Sequence, residues 1–125
     1  MAGRRAARRT ALFLLYQWDL TGQPLTALYE GDIDPFSQEL AEAVAAEAAD
    51  LDLAIDAASD EWRADRLGVL ERNVLRIGIY ELQHGTVPVE VAISEAVNLA
   101  KRYASDEAGK LVNGVLARVA RERAA

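Results

Sequence analysis

Apolar residues recur every three or four positions along nearly the whole chain, the spacing of helices buried on one side. Ala7, Ala11, Leu14, Leu15 and Trp18 form such a stripe over about residues 4–21, and Gly22 with Pro24 ends it. Residues 22–33 hold two glycines, one proline and a short apolar patch (Leu25, Leu28, Tyr29), which predicts a loop with at most one helical turn. Asp34-Pro35 then offers an N-cap followed by proline at the first helical position. From there Phe36, Leu40, Val44, Leu51, Ile55, Ala58 and Trp62 run as one seam through a long alanine-rich helix. The Asp and Glu residues on its other faces read as solvated.

A third helix is predicted from about Asp65 to Gln83. Leu67, Leu70, Val74, Leu75, Ile77, Ile79 and Leu82 occupy more than one of its faces, so it is expected at the centre. Gly85 and Pro88 close it and open a fourth, whose stripe is Val89, Ala92, Ile93, Ala96, Val97, Ala100 and Tyr103. Ser105 is the expected N-cap of the last helix, with Asp106 and Glu107 in the first turn, where the dipole favours acids. Leu111, Val112, Val115, Leu116 and Val119 carry it to a basic end at Arg118, Arg121 and Arg123. Asn113-Gly114 between apolar residues is a hairpin signal, but the helical stripe passes through it unbroken. The helix is kept, with close approach of another backbone expected at Gly114, and likewise at Gly78.

At 125 residues and 51% apolar, the chain is expected to form one all-α domain over 1–125 with a substantial core. Cysteine is absent, which removes disulfides, thiolate metal sites and cysteine nucleophiles. The apolar run Ala11–Leu15 is too short for a signal or membrane segment, so a soluble, cytoplasmic chain is expected. Net charge is −6, but unevenly spread. Residues 1–10 carry four arginines and no acid, residues 30–66 twelve acids against two bases, and residues 67–125 eight bases against seven acids. Phosphate responds to local potential, so a basic terminus on an acidic protein can still bind nucleic acid.

Nothing resembles an active site. The one histidine, His84, sits beside Gly85 at a helix end, where capping accounts for it. No nucleophile, phosphate loop or metal-ligand spacing accompanies it, so neither catalysis, a cofactor nor a metal is expected. The arginine cluster is the remaining chemistry. Arg4 and Arg8 share a helical face, as do Arg5 and Arg9, and Leu12 then Tyr16 follow Arg8 at steps of four. This predicts a basic strip ending in an aromatic ring, opposite the core stripe, suited to phosphates and an unpaired base. A solvated terminus with Tyr16 half-buried in the core explains the spacing equally well. Lys101, Arg102 and Lys110 form a second basic cluster near the junction of the last two helices.

Four blocks in order carry a family likeness. They are Arg4-Arg5-Ala6-Ala7-Arg8 with Leu15-Tyr16-Gln17-Trp18-Asp19; Glu71-Arg72-Asn73-Val74-Leu75-Arg76-Ile77-Gly78-Ile79-Tyr80-Glu81-Leu82; Val91-Ala92-Ile93-Ser94-Glu95-Ala96; and Lys110-Leu111-Val112-Asn113-Gly114-Val115-Leu116. Together they resemble the NusB family of transcription antitermination proteins. The resemblance implies an all-α fold of two packed helical bundles. It also implies binding of single-stranded boxA RNA in ribosomal RNA leader transcripts, jointly with the ribosomal protein NusE, within the RNA polymerase antitermination complex. By position, it places Arg4, Arg5, Arg8, Arg9 and Tyr16 on the RNA side and Lys110, Leu111 and Asn113 near the RNA. Glu81, Asp106 and Glu107 fall near the junction with NusE.

The chain departs from the family pattern at Arg9, where an acid is frequent, at Phe13, where a polar residue is common, and at Leu111, where an aromatic is frequent. The short 22–33 connection implies that the family's second helix is missing or reduced. Two alternatives stand beside this reading. The same fold occurs as the N-terminal part of certain rRNA cytosine methyltransferases, although the sequence stops at residue 125 without a catalytic domain. A protein-interaction adapter, self-associating through the acidic helix or apolar faces, is the other. Monomer and homodimer both fit the sequence.

Overall fold

The computed structural model describes residues 3–124, among which six α-helices follow one another: α1 (Arg4–Thr21), α2 (Pro35–Ala46), α3 (Ala48–Ala58), α4 (Val69–His84), α5 (Val89–Tyr103) and α6 (Asp106–Ala124). Single 3-10 turns at Leu25–Ala27 and Ala64–Arg66 interrupt the connections. The expected termini form for the expected reasons. The Asp34 carboxylate accepts from Phe36 N at 2.8 Å, and the Ser105 hydroxyl oxygen accepts from Ala108 N at 3.0 Å. Gly22 and Gly85 end α1 and α4 with φ of 76° and 61°, values that side-chain-bearing residues rarely adopt.

The long helix expected after Asp34 is two. Glu47 (φ −101°, ψ 10°) leaves helical geometry, so α2 packs on α1 while α3 turns to meet α4 and α6. Alanines on every side of that junction hid the change of phase. The seam does not reach Trp62, which lies outside the helix and is 46% exposed. Nor are all the acids solvated: Asp56 accepts from Ala64 N at 2.7 Å, and Asp52 binds Arg76. The third predicted helix begins later than expected, at Val69, after the turn at Ala64–Arg66.

Helix α4 is central, as its apolar faces predicted. Residues Asn73–Ile79 are all buried, and α4 contacts each of the other five helices. α1, α2 and α3 pack together against it, and α5 with α6 forms the second bundle. Small residues set the spacing: the Ser37 hydroxyl donates to Ala7 O at 2.9 Å, so α2 approaches the α1 backbone closely.

A polar network fixes the far end of α1. Asp19 Oδ2 accepts from Arg72 Nε at 3.0 Å, Asn73 Nδ2 at 3.0 Å and Arg76 Nη1 at 2.9 Å. Arg76 also donates to both Asp52 oxygens, at 2.8 and 2.7 Å. Burial alone would lower the Arg76 pKa, but the hydrogen bonds and charge of Asp52 and Asp19 outweigh it and hold the pKa above its ordinary value.

The two helix glycines expected at close approaches differ. A Cβ on Gly78 would sit 2.6 Å from Leu116 Cδ1 and 3.4 Å from Ala96 Cβ, so side chains rather than a backbone require glycine there. Nothing lies within 4 Å of a Cβ on Gly114, which corrects that expectation. The pair should therefore separate on melting. Gly114→Ala should gain up to about 1 kcal/mol of helix propensity. Gly78→Ala should lose about 1–2 kcal/mol, because overpacking a fully buried Leu116 costs more than propensity returns. A Gly78→Ala protein melting above the native one would show that Leu116 has room to rotate.

Candidate nucleic-acid interface

Two corrections reorganise the basic strip. Arg8 is 3% exposed, and its Nε and Nη2 donate to Glu81 Oε1 and Oε2 at 2.8 and 2.9 Å. Hydrogen bonding to Glu81 leads the effects that raise the Arg8 pKa above its ordinary value. Glu81 is 2% exposed, so neither residue faces the ligand that the resemblance implied for it. Leu12 is wholly buried as well. The buried arc of α1 is wide enough to include positions 8 and 12, and the strip Arg4–Arg8–Leu12–Tyr16 does not exist as a surface.

The outward row of α1 is Arg5, Arg9, Phe13 and Tyr16, at steps of four, four and three. Phe13 is 41% and Tyr16 36% exposed, and Tyr16 is not part of the core cluster. Arg5 donates to both oxygens of Glu95, at 3.2 and 3.0 Å, across to α5. Arg4 lies apart from this row, its guanidinium 4.1 Å from the centre of the Phe36 ring.

The row borders a cleft of about 460 Å³ between α1 and α5, lined by Arg5, Arg9, Glu95, Asn98, Lys101 and Arg102, with Leu99 and Tyr103. Phe13 meets Tyr103 edge to face at a centroid distance of 5.0 Å, closing the gap between the helices. The structure thus brings Lys101 and Arg102 together with the α1 arginines, which spacing along the chain alone did not indicate.

Lys110 and Leu111 lie elsewhere, on a groove of about 710 Å³ where α6 begins beside the α3–α4 connection. Trp62, Arg66, Glu71 and Glu107 also line it. Asp106, Asn113 and Glu107 are exposed, and Lys110 Nζ lies 3.8 Å from Glu107. Trp62 and Glu71 were not singled out from the sequence as site residues. A tryptophan set within the charged run of residues 60–66 was the available signal. The surface therefore offers phosphate contacts and stacking on one side and an acidic, aromatic groove on another.

His84 stands apart, its ring 4.1 Å from that of Tyr80 and its Nε2 3.3 Å from Glu47. Among the described residues no group of three or more His, Cys, Asp or Glu could hold a metal ion, and no helix is long and apolar enough to cross a membrane.

The chain is similar to known proteins in sequence and in fold. The model of the NusB family matches residues 5–121. The transcription antitermination protein NusB of Rubrobacter xylanophilus is 39% identical over 120 residues, covering 90% of this chain and 86% of the relative. A NusB structure from T. maritima superposes with a TM-score of 0.84 at 31% identity, covering 97% of this chain and 92% of that one. A crystal structure of the antitermination factors NusB and NusE in complex with double-stranded RNA gives a TM-score of 0.84 at 32% identity, covering 95% and 96% of the two chains.

Proposed function

The chain belongs to the NusB family, and from that premise we propose that it is a transcription antitermination factor of the cytoplasm. As one RNA-binding domain, it takes single-stranded boxA RNA of ribosomal RNA leader transcripts together with NusE, within the RNA polymerase antitermination complex. The observation that carries this reading is the outward row of α1, where exposed Arg5 and Arg9 lead to an exposed Tyr16 ring. Arginines neutralise backbone phosphates, and a ring at the end of the row stacks an unpaired base. The relative solved with NusE and RNA supports the partner. The groove bearing Glu71, Glu107 and Trp62, with Asp106 exposed nearby, suits docking of a basic partner that extends the positive surface.

Titrating boxA RNA across a range of KCl concentrations, with and without NusE, tests the reading. Log K should fall with log[salt] by about 0.7 per phosphate contact. NusE should tighten binding by roughly 5–150-fold, the usual span of coupling between two sites. Tyr16→Ala should cost about 1–3 kcal/mol of affinity with little change in salt slope. Binding that ignores salt would remove the arginine row from the mechanism, and equal affinities with and without NusE would remove the coupling.

A further inference from the structure

The cleft between α1 and α5 carries four cations and one carboxylate. Both oxygens of that carboxylate, Glu95, are taken up by Nε and Nη2 of Arg5. Among the described residues no carboxylate oxygen lies within 4.0 Å of a side-chain nitrogen of Arg9, Lys101 or Arg102. Lys101 is held in an unusual way for an exposed lysine. Its methylenes run over Gly109 on α6, where a Cβ would sit 2.6 Å from Cγ, 3.1 Å from Cε and 3.4 Å from Cδ. Gly109 is buried and has no positive φ, so space rather than backbone geometry calls for glycine. The Arg102 guanidinium lies 5.7 Å from the Tyr103 ring, which Phe13 in turn holds edge-on.

We propose that this cleft is a phosphate subsite for the backbone of a single-stranded RNA, with Arg9, Lys101 and Arg102 as its contacts and Gly109 as the positioning residue that lets Lys101 lie in place. The inference rests on the RNA-binding reading above and extends it from α1 to α5 and α6. A free lysine loses much rotamer entropy when it grips an anion. One whose stem is already laid along a helix loses less, so the contact is stronger for the same charge. The cleft is also continuous with the Arg5–Arg9 row, so a strand stacked at Tyr16 can run into it.

The test measures binding of a single-stranded boxA-type RNA by anisotropy, from low to high KCl, for the native chain and four variants. Lys101→Gln and Arg102→Gln should each weaken binding about fivefold at 0.1 M salt and reduce the salt slope by about 0.7, the share of one phosphate contact on a single strand. Gly109→Ala should melt no lower than the native chain, since alanine favours the helix and the atoms in its way belong to a flexible side chain. It should nevertheless lose affinity in the manner of Lys101→Gln, and the Gly109→Ala, Lys101→Gln double variant should lose no more than Lys101→Gln alone.

Native affinity and slope in Lys101→Gln and Arg102→Gln, with RNA still bound by the native chain, would overturn the subsite and leave the RNA reading standing. Failure of the native chain to bind RNA at all would overturn both. If those variants bound RNA normally but lost a thermal stabilisation by inorganic phosphate that the native chain shows, the cleft would take free phosphate, and the assignment to RNA would fall.

Discussion

Arg8→Ala is expected to destabilise the fold by about 3–5 kcal/mol, the cost of leaving a buried carboxylate without its cation. Glu81 is 2% exposed, and both its oxygens would be stripped of donors now 2.8 and 2.9 Å away. Domains of this size hold only about 5–15 kcal/mol in all, so the unfolding midpoint should fall by roughly 10–20 °C. Glu81→Ala should do comparable damage from the other side. Replacing both by apolar residues of similar volume, as Arg8→Met with Glu81→Leu, should recover most of the loss, because no charge is then left buried. The Arg8 pKa is raised, so its contribution is complete at every pH below the ordinary arginine range and lapses only above it. Thermal melts should therefore show the same deficit for Arg8→Ala from neutral to mildly basic buffer. A melting midpoint within about 2 °C of the native one, together with a tenfold loss of RNA affinity, would place Arg8 on the RNA and dissolve the clamp.

Residues Asp34-Pro35, Ser105, Gly22 and Gly85 made the helix ends legible, because capping chemistry is local and each residue carries its own reason. The break at Glu47 was not legible: Ala43, Ala45, Ala46, Ala48 and Ala49 fit a buried or an exposed face equally. The orientation of α1 was half legible. Leu12 beside Ala11, Leu14 and Leu15 widens the apolar arc past what one stripe needs, and that arc carries Arg8 inward with it. Glu81 gave the matching sign from α4, since a carboxylate on a helix apolar on several faces requires a partner. That the partner stands 73 residues earlier is information no spacing contains. The same holds for Lys101 and Arg102, whose nearness to Arg9 depends on how α5 crosses α1.

Asp19→Ala should be the second severe substitution, costing about 3 kcal/mol or more, because Asp19 Oδ2 serves Arg72, Asn73 and Arg76 at once. Arg76 would retain Asp52, and Arg72 the carbonyls of Ala64 and Leu67, which keeps the loss below complete collapse. Asp19→Asn keeps an oxygen acceptor without the charge and should fall between the two. Arg8 and Asp19 lie eleven positions apart and pin the inner side of α1 at separate points, about 16 Å along the axis. Between them stand Arg9, Phe13 and Tyr16, so the two clamps set the direction of the row proposed to meet RNA. Loosening the Asp19 end frees Tyr16 while Arg8 still holds Arg9. At a temperature where Asp19→Asn remains folded, its RNA affinity should drop toward that of Tyr16→Ala with the salt slope unchanged. A slope that shrinks along with affinity would mean that the phosphate contacts move with the Tyr16 end, and that α1 is not held by two separate clamps.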